Sequence, residues 1–220
     1  NNGRLFNALK GVHKDITYTG IDIDARAVEQ AAEKYTDATF IADKYPSDKL
    51  QGKKFDVTTC FAVFMMFENW REALAKISDH TNDRIVLDLA MTMDYPTVAD
   101  PEISYAYYLD SGTRVPYVIQ NVMELVNYCF TEHVGAGSVA IKATVPPTTS
   151  VLHGVPLKSL LRGIAIITKD KSGKNIWGAQ SKQARPDFMK TINPEDFRQP
   201  EAWIEIDGKR TGIYPHDSIF

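Results

Sequence analysis

Cysteine is scarce in this chain, with only Cys60 and Cys129 among 220 residues. That excludes a disulfide-stapled scaffold and leads us to expect reduced thiols and a cytoplasmic location. Long apolar runs are missing too: the longest, Cys60 to Phe67, falls far short of the roughly 18 residues a membrane-spanning helix needs. Neither sign of charge dominates. Lys+Arg number 25 and Asp+Glu 28, a net charge of −3, which excludes a chain that holds nucleic acid by overall basicity. Internal repeats and low-complexity tracts are absent. What remains, 44% hydrophobic and 24% charged residues, fits a globular domain rather than a collagen-like, coiled-coil or disordered chain.

What is present alternates. Leu5, Phe6 and Leu9 keep helical spacing and Gly11 is placed to stop that helix. Thr17 to Ile21 reads as a buried strand ending at Asp22. Asp24 caps a helix whose apolar face is Val28, Ala31, Ala32 and Tyr35. Ala38 to Ala42 is a second strand, ending at Asp43, and Phe55 to Cys60 a third. Asn69, with Glu72 three residues on, predicts a capped helix with Ala73, Leu74 and Ile77 inward, and Arg84 to Leu89 a fourth strand. Short continuous apolar strands between helices predict an α/β fold, doubly wound on a mostly parallel sheet.

Beyond Leu89 the pattern changes. Residues 91–116 are rich in Tyr, Asp and Pro without a clean period and read as irregular. Val118, Val122, Leu125, Val126 and Cys129 mark an amphipathic helix. Ser138 to Val145 and Leu160 to Thr168 are two strands joined through Pro146 to Pro156, a stretch without helical period, so antiparallel pairing is expected. Trp203 to Ile206 followed by Asp207-Gly208 predicts a hairpin.

The chemistry lies in one spacing. Gly3 stands 19 positions before Asp22, which ends its strand. In a βαβ nucleotide site a glycine of the first turn sits against the ligand. An acidic residue about 20 positions on, at the end of the second strand, accepts hydrogen bonds from the ribose hydroxyls. A carboxylate suits that task because it only accepts and can take both hydroxyls. Asp43 repeats the arrangement one strand later, where a carboxylate can read an adenine amino group; a solvated turn aspartate is an equal reading.

The ordered set Asn1-Asn2-Gly3, Gly20-Ile21-Asp22-Ile23-Asp24, Phe40-Ile41-Ala42-Asp43, Phe55-Asp56-Val57, Asn69 to Leu74 and Ile85-Val86-Leu87 resembles the class I S-adenosylmethionine-dependent methyltransferases. The resemblance covers about residues 1 to 169, including the terminal antiparallel strand pair. It implies a methyltransferase core over 1–169 and an extension over 170–220 whose β-hairpin packs on that core. By this resemblance Asn1, Asn2 and Gly3 close the glycine loop beside the methionine part of S-adenosylmethionine. Asp22 would hold the ribose, with Ile23 beside it also at the cofactor, Asp43 and Lys44 would flank the adenine, and Cys60, Phe61 and Ala62 would form a wall near the sulfonium. The family's first strand and opening glycines do not appear, so an upstream strand is expected to be missing.

Methyl transfer from a sulfonium is an in-line displacement, in which the protein chiefly aligns the partners and excludes water. A general base is needed only when the acceptor must shed a proton. Acceptors bind outside the carboxyl ends of the strands, which nominates Phe64, Glu68, Tyr95 and Tyr105, with Tyr107 and Tyr108 beside them. His153 is a candidate base, with a surface histidine the plainer reading. Cys129 and His133 form a Cys-x-x-x-His pair with no second pair after it, so no metal site is expected. Between Lys158 and Lys190, eight Lys/Arg against two Asp/Glu make a basic strip that suits an anionic acceptor or a solvated face. A small or medium-sized acceptor is the first expectation. The same glycine-to-aspartate spacing serves a nicotinamide-dependent oxidoreductase, and a non-catalytic Rossmann-like binding module is the third possibility.

Overall fold

The parallel alternation expected from the sequence is realised in two compact units, residues 1–53 and 54–220, each described by itself. The structure is a computed structural model, and it describes residues 3–107, 113–144, 159–171 and 201–212. Asn1, Asn2, Tyr108, His153, the Pro146 to Pro156 connection and most of the basic strip lie outside those residues.

In the first unit, helix α1 (Arg4–Val12) leads to strand β1 (Thr19–Asp22), helix α2 (Ala25–Lys34) and strand β2 (Thr39–Ala42). β1 and β2 pair in parallel, Asp22 opposite Ala42. The core of this unit is aromatic: Phe6 packs on Tyr18 at 5.2 Å and edge-on against Tyr35 at 5.4 Å, with Phe40 beside them. Asp24 caps α2 as expected, its carboxylate accepting from the Arg26 and Ala27 amides. That satisfies two donors that the first turn would otherwise leave open.

In the second unit, β3 (Phe55–Cys60) and β4 (Thr81–Thr92) flank helix α3 (Trp70–Asp79). The hairpin β5 (Tyr105–Tyr107) and β6 (Arg114–Pro116), strand β7 (Ile119–Asn121) and helix α4 (Val122–Cys129) follow. β8 (Ala136–Thr144), β9 (Leu161–Lys169), β10 (Glu201–Ile206) and β11 (Lys209–Gly212) end the described chain. The main sheet runs β11-β10-β8-β9-β4-β3, with β7 also on β4. β3 lies parallel to β4, while β9 lies antiparallel to both β4 and β8, giving the expected terminal pair. The hairpin at Asp207-Gly208 forms and adds to β8 through β10.

One face of this sheet is aliphatic and buried. Ile85, Leu87 and Leu89 of β4, Ala165 and Ile167 of β9, and Val139 and Ile141 of β8 are all completely buried. They align across the ladders, Ile85 to Ile167 to Val139 and Leu87 to Ala165 to Ile141. Leu74 and Ile77 of α3 and Leu125 and Val126 of α4 are buried as well. Each large aliphatic side chain so removed from water contributes about 1.5–3 kcal/mol before chain entropy is counted. Gly163 lets β9 approach β8, since a Cβ there would meet the Lys142 carbonyl oxygen at 2.1 Å.

Three local expectations change. The helix expected from Val118 starts at Val122, because Ile119–Asn121 pairs with β4 and the Asn121 side chain then caps α4 through the Glu124 amide. Residues 91–116 are not wholly irregular: β4 runs on to Thr92, and β5 and β6 form a short hairpin. Asn69 sits at the α3 N-cap but accepts no capping bond; its amide donates to Glu72 Oε2 at 2.8 Å instead.

Candidate functional site

In the first unit the expected nucleoside-binding residues gather at the start of α1 and the carboxyl ends of β1 and β2. Gly3 precedes α1 in a left-handed conformation, φ 78°. It is buried, and a Cβ would strike the Tyr35 ring at 2.6 Å, so both space and backbone demand glycine. Asp22 Oδ1 accepts the Asp24 amide at 3.0 Å, which turns the chain from β1 into α2. The Asp22 carbonyl accepts the Asp43 amide at 3.0 Å, locking the two strand ends in step. Ile23, between the two carboxylates, is 74% exposed, an apolar surface that its strand-end position does not require.

Asp43 belongs to a built loop. Its Oδ1 accepts the Lys44 amide at 2.8 Å and its Oδ2 the Ser47 hydroxyl at 2.7 Å, with Lys49 Nζ at 3.7 Å. The Ser47 hydrogen bond foremost, then the Lys44 amide and Lys49, hold its pKa below the ordinary aspartate value. It therefore stays an acceptor at neutral pH.

In the second unit, β3 ends at Cys60 and turns sharply. Ala62 has φ 56°, unusual for a residue with a Cβ. Phe61 and Val63 flank it, 40% and 42% exposed. Burial, with the Asp88 charge behind it, pushes the Cys60 thiol up to about 12, so it is a protonated thiol and no thiolate nucleophile. Phe64, expected at the acceptor, is fully buried and packs edge-on against Phe67 at 6.1 Å, a core position. Glu68 is exposed. Tyr95 lines a shallow concavity with Thr97, Val98 and Ile103. Tyr105 carries the Arg114 guanidinium 3.8 Å from its ring centre. Cys129 is fully buried and His133 stacks on Tyr128 at 6.1 Å, so they play structural parts.

The sequence reading missed a polar knot at the carboxyl edge of β4. Arg162, at the start of β9, donates from Nη2 to Asp88 Oδ1 at 3.3 Å and from Nη1 to the Tyr117 hydroxyl. Tyr117 is buried, and desolvation raises its pKa more than Arg162 lowers it. Tyr117 and Asp88 stand 45 and 74 positions from Arg162, and only the fold brings them together. On the other side of the same edge, Gln120 is fully buried and its amide has no partner among the described residues.

Residues 1–86 match the sequence model of a family described as a methyltransferase domain. No curated protein matches the chain by sequence. Among solved structures, it is similar to the O-methyltransferase of a trans-AT PKS multienzyme of Brevibacillus brevis, solved with S-adenosyl-L-homocysteine. The identity is 12% and the TM-score 0.57, over 81% of this chain and 67% of that one. A methyltransferase from Clostridium acetobutylicum is 11% identical with a TM-score of 0.48, over 76% and 80%. Magnesium protoporphyrin IX methyltransferase from Synechocystis, with bound SAM, is 13% identical with a TM-score of 0.39. There the alignment spans 70% of this chain and 60% of that one. The fold is that of the class I methyltransferases. Neither alternative drawn from the spacing, a nicotinamide enzyme or a non-catalytic module, gains support. No helix among the described residues is long and apolar enough to cross a membrane.

Proposed function

We propose that this class I methyltransferase binds S-adenosylmethionine and passes its methyl group by in-line displacement to a small or medium-sized acceptor. The observation that carries the reading is the pairing of Gly3 with Asp22: a left-handed glycine opens α1, and a carboxylate ends the next strand. Asp22 accepts the ribose hydroxyls, a task that suits a carboxylate because it only accepts. Ile23 and Asp43 serve the adenine, the first as an exposed apolar surface and the second as an acceptor for the amino group. Lys44 flanks the same ring, and Asn1 and Asn2 belong with Gly3 at the methionine end. Cys60, Phe61 and Ala62 furnish an uncharged wall for the sulfonium. A protonated thiol suits that place, since a thiolate there would compete for the methyl group.

Catalysis in this reading is alignment and dehydration, so no triad is required. Isothermal titration of the full-length protein with S-adenosylmethionine, S-adenosylhomocysteine and NAD tests it. The two adenosyl ligands are expected to bind and NAD not to. Asp22→Ala should weaken the adenosyl ligands by about 1–3 kcal/mol, the cost of leaving buried polar partners unpaired. Unchanged affinity would make Asp22 a turn residue only.

A further inference from the structure

The chain just past β4 forms a recess of its own. Tyr95, Pro96, Val98, Ala99, Asp100 and Ile103 line an open concavity of ≈ 550 Å³. Two runs of chain supply it, and both are fixed. Residues 95–98 are tied to the start of α4: the Tyr95 carbonyl accepts Asn121 Nδ2 at 2.8 Å, the Thr97 hydroxyl accepts the Asn121 amide at 2.9 Å, and the Thr97 amide donates to Glu124 Oε1 at 3.0 Å. Val98 exchanges two backbone hydrogen bonds with Ile119, each 3.0 Å. Residues 100–104 make a turn in which the Asp100 carbonyl accepts the Ile103 amide at 3.0 Å and the Ser104 amide at 2.9 Å. Ser104 is then anchored to Tyr117, donating from its hydroxyl to the Tyr117 carbonyl at 2.6 Å. A recess held in this way is shaped before a ligand arrives, which lowers the cost of binding one.

Most of the lining is apolar, and Asp100 is the one charged residue on it among the described residues. Asp100 Oδ1 accepts the Glu102 amide at 2.8 Å, and Oδ2 has no partner among the described residues. Glu102 is paired with Arg114, the single basic residue of positions 93–118. Arg114 also donates to the Pro101 carbonyl and lies over the Tyr105 ring, so it is committed away from Asp100. The same positions hold four acids, Asp94, Asp100, Glu102 and Asp110, so the field over the segment favours a cation. Tyr95 adds an aromatic ring, whose face attracts a cation. A metal ion is a poor match, since hard cations take six or more oxygens and a single carboxylate lines this recess.

We propose that the recess binds a small organic cation, an ammonium group carried on an aromatic or aliphatic body. The ammonium pairs with Asp100 Oδ2 beside the Tyr95 ring, and the body lies on Val98, Ala99 and Ile103. The assignment rests on the recess alone and is independent of the methyl-transfer reading. It is opposite in sign to the anionic ligand that the basic strip would suit.

The test uses three probes with one ring and similar chains: phenethylamine, protonated at pH 7, 2-phenylethanol and 3-phenylpropionate. Each is titrated into the full-length protein at low salt and followed by amide chemical shifts. We expect phenethylamine to move the amides of residues 95–103 and to bind about fivefold more tightly than 2-phenylethanol, the upper range for an exposed ion pair. The preference should shrink at about 0.5 M salt, where screening is strong. Asp100→Asn, which keeps an acceptor for the Glu102 amide, should abolish the preference and leave 2-phenylethanol unchanged. Ile103→Ser, at an exposed position, should weaken phenethylamine and 2-phenylethanol alike. Binding of 2-phenylethanol or 3-phenylpropionate as tight as that of phenethylamine would overturn the proposal. So would a phenethylamine preference that survives Asp100→Asn, or shifts that gather outside residues 95–103.

Discussion

The two units build their interiors from different material. The first is small and ring-filled: Phe6, Tyr18, Tyr35 and Phe40 surround a two-stranded parallel ladder of four residues a side. The second is a seven-stranded sheet whose buried face is almost wholly aliphatic. Two strands are marginal by themselves, so the first unit depends on close local fits, at Gly3 and at the Asp24 cap. The second spreads its stability over long ladders. A fit made by neighbours can be written in a few local residues, whereas a ladder is drawn from distant ones.

The largest break should come at the long ladders. Gly163→Ala forces a methyl group into the Lys142 carbonyl and the Ala143 backbone. It should cost about 3 kcal/mol or more, read as a lower urea midpoint, because backbone cannot yield as a side-chain tip can. Gly3→Ala strains a left-handed backbone and meets the Tyr35 ring. A loss of about 1–3 kcal/mol is expected, together with weaker adenosyl-ligand binding in calorimetry.

Asp24→Ala sharpens the contrast by removing a single cap. About 1 kcal/mol should be lost, visible as faster amide exchange in the first turn of α2. The smallest effect belongs to Ser47→Ala. It removes the foremost cause of the low Asp43 pKa, which should move up toward the ordinary aspartate value in an NMR titration. Because that pKa is lowered in the folded state, its contribution is present above the unfolded aspartate pKa and fades as pH falls through the folded one. The variant should therefore show less stability change across that acid range.

The difference also explains what could be read in advance. Asp24, Asp22 and the strand Phe55–Cys60 follow local rules, and each stands where its pattern places it. So does the Asp207-Gly208 hairpin. The start of α4 does not, because Val118 and Val122 keep helical spacing while pairing to β4 claims Ile119–Asn121. β4 begins with polar Thr81, Asn82 and Asp83, which hide a strand that a neighbour's ladder imposes. Phe64 looked available because it follows a strand end, yet the turn at Ala62 carries it inward. The Asp88–Arg162–Tyr117 knot had no local signal at all, since nothing in the spacing of 88, 117 and 162 announces contact.

Strand β4 holds β9 along one edge, and on the other it holds β3 as far as Leu87 and β7 from Ala90 onward. Its alignment is therefore set independently at both ends, and a slip by one residue would have to undo two ladders together. A change in either neighbour alone therefore leaves the strand's alignment fixed by the other.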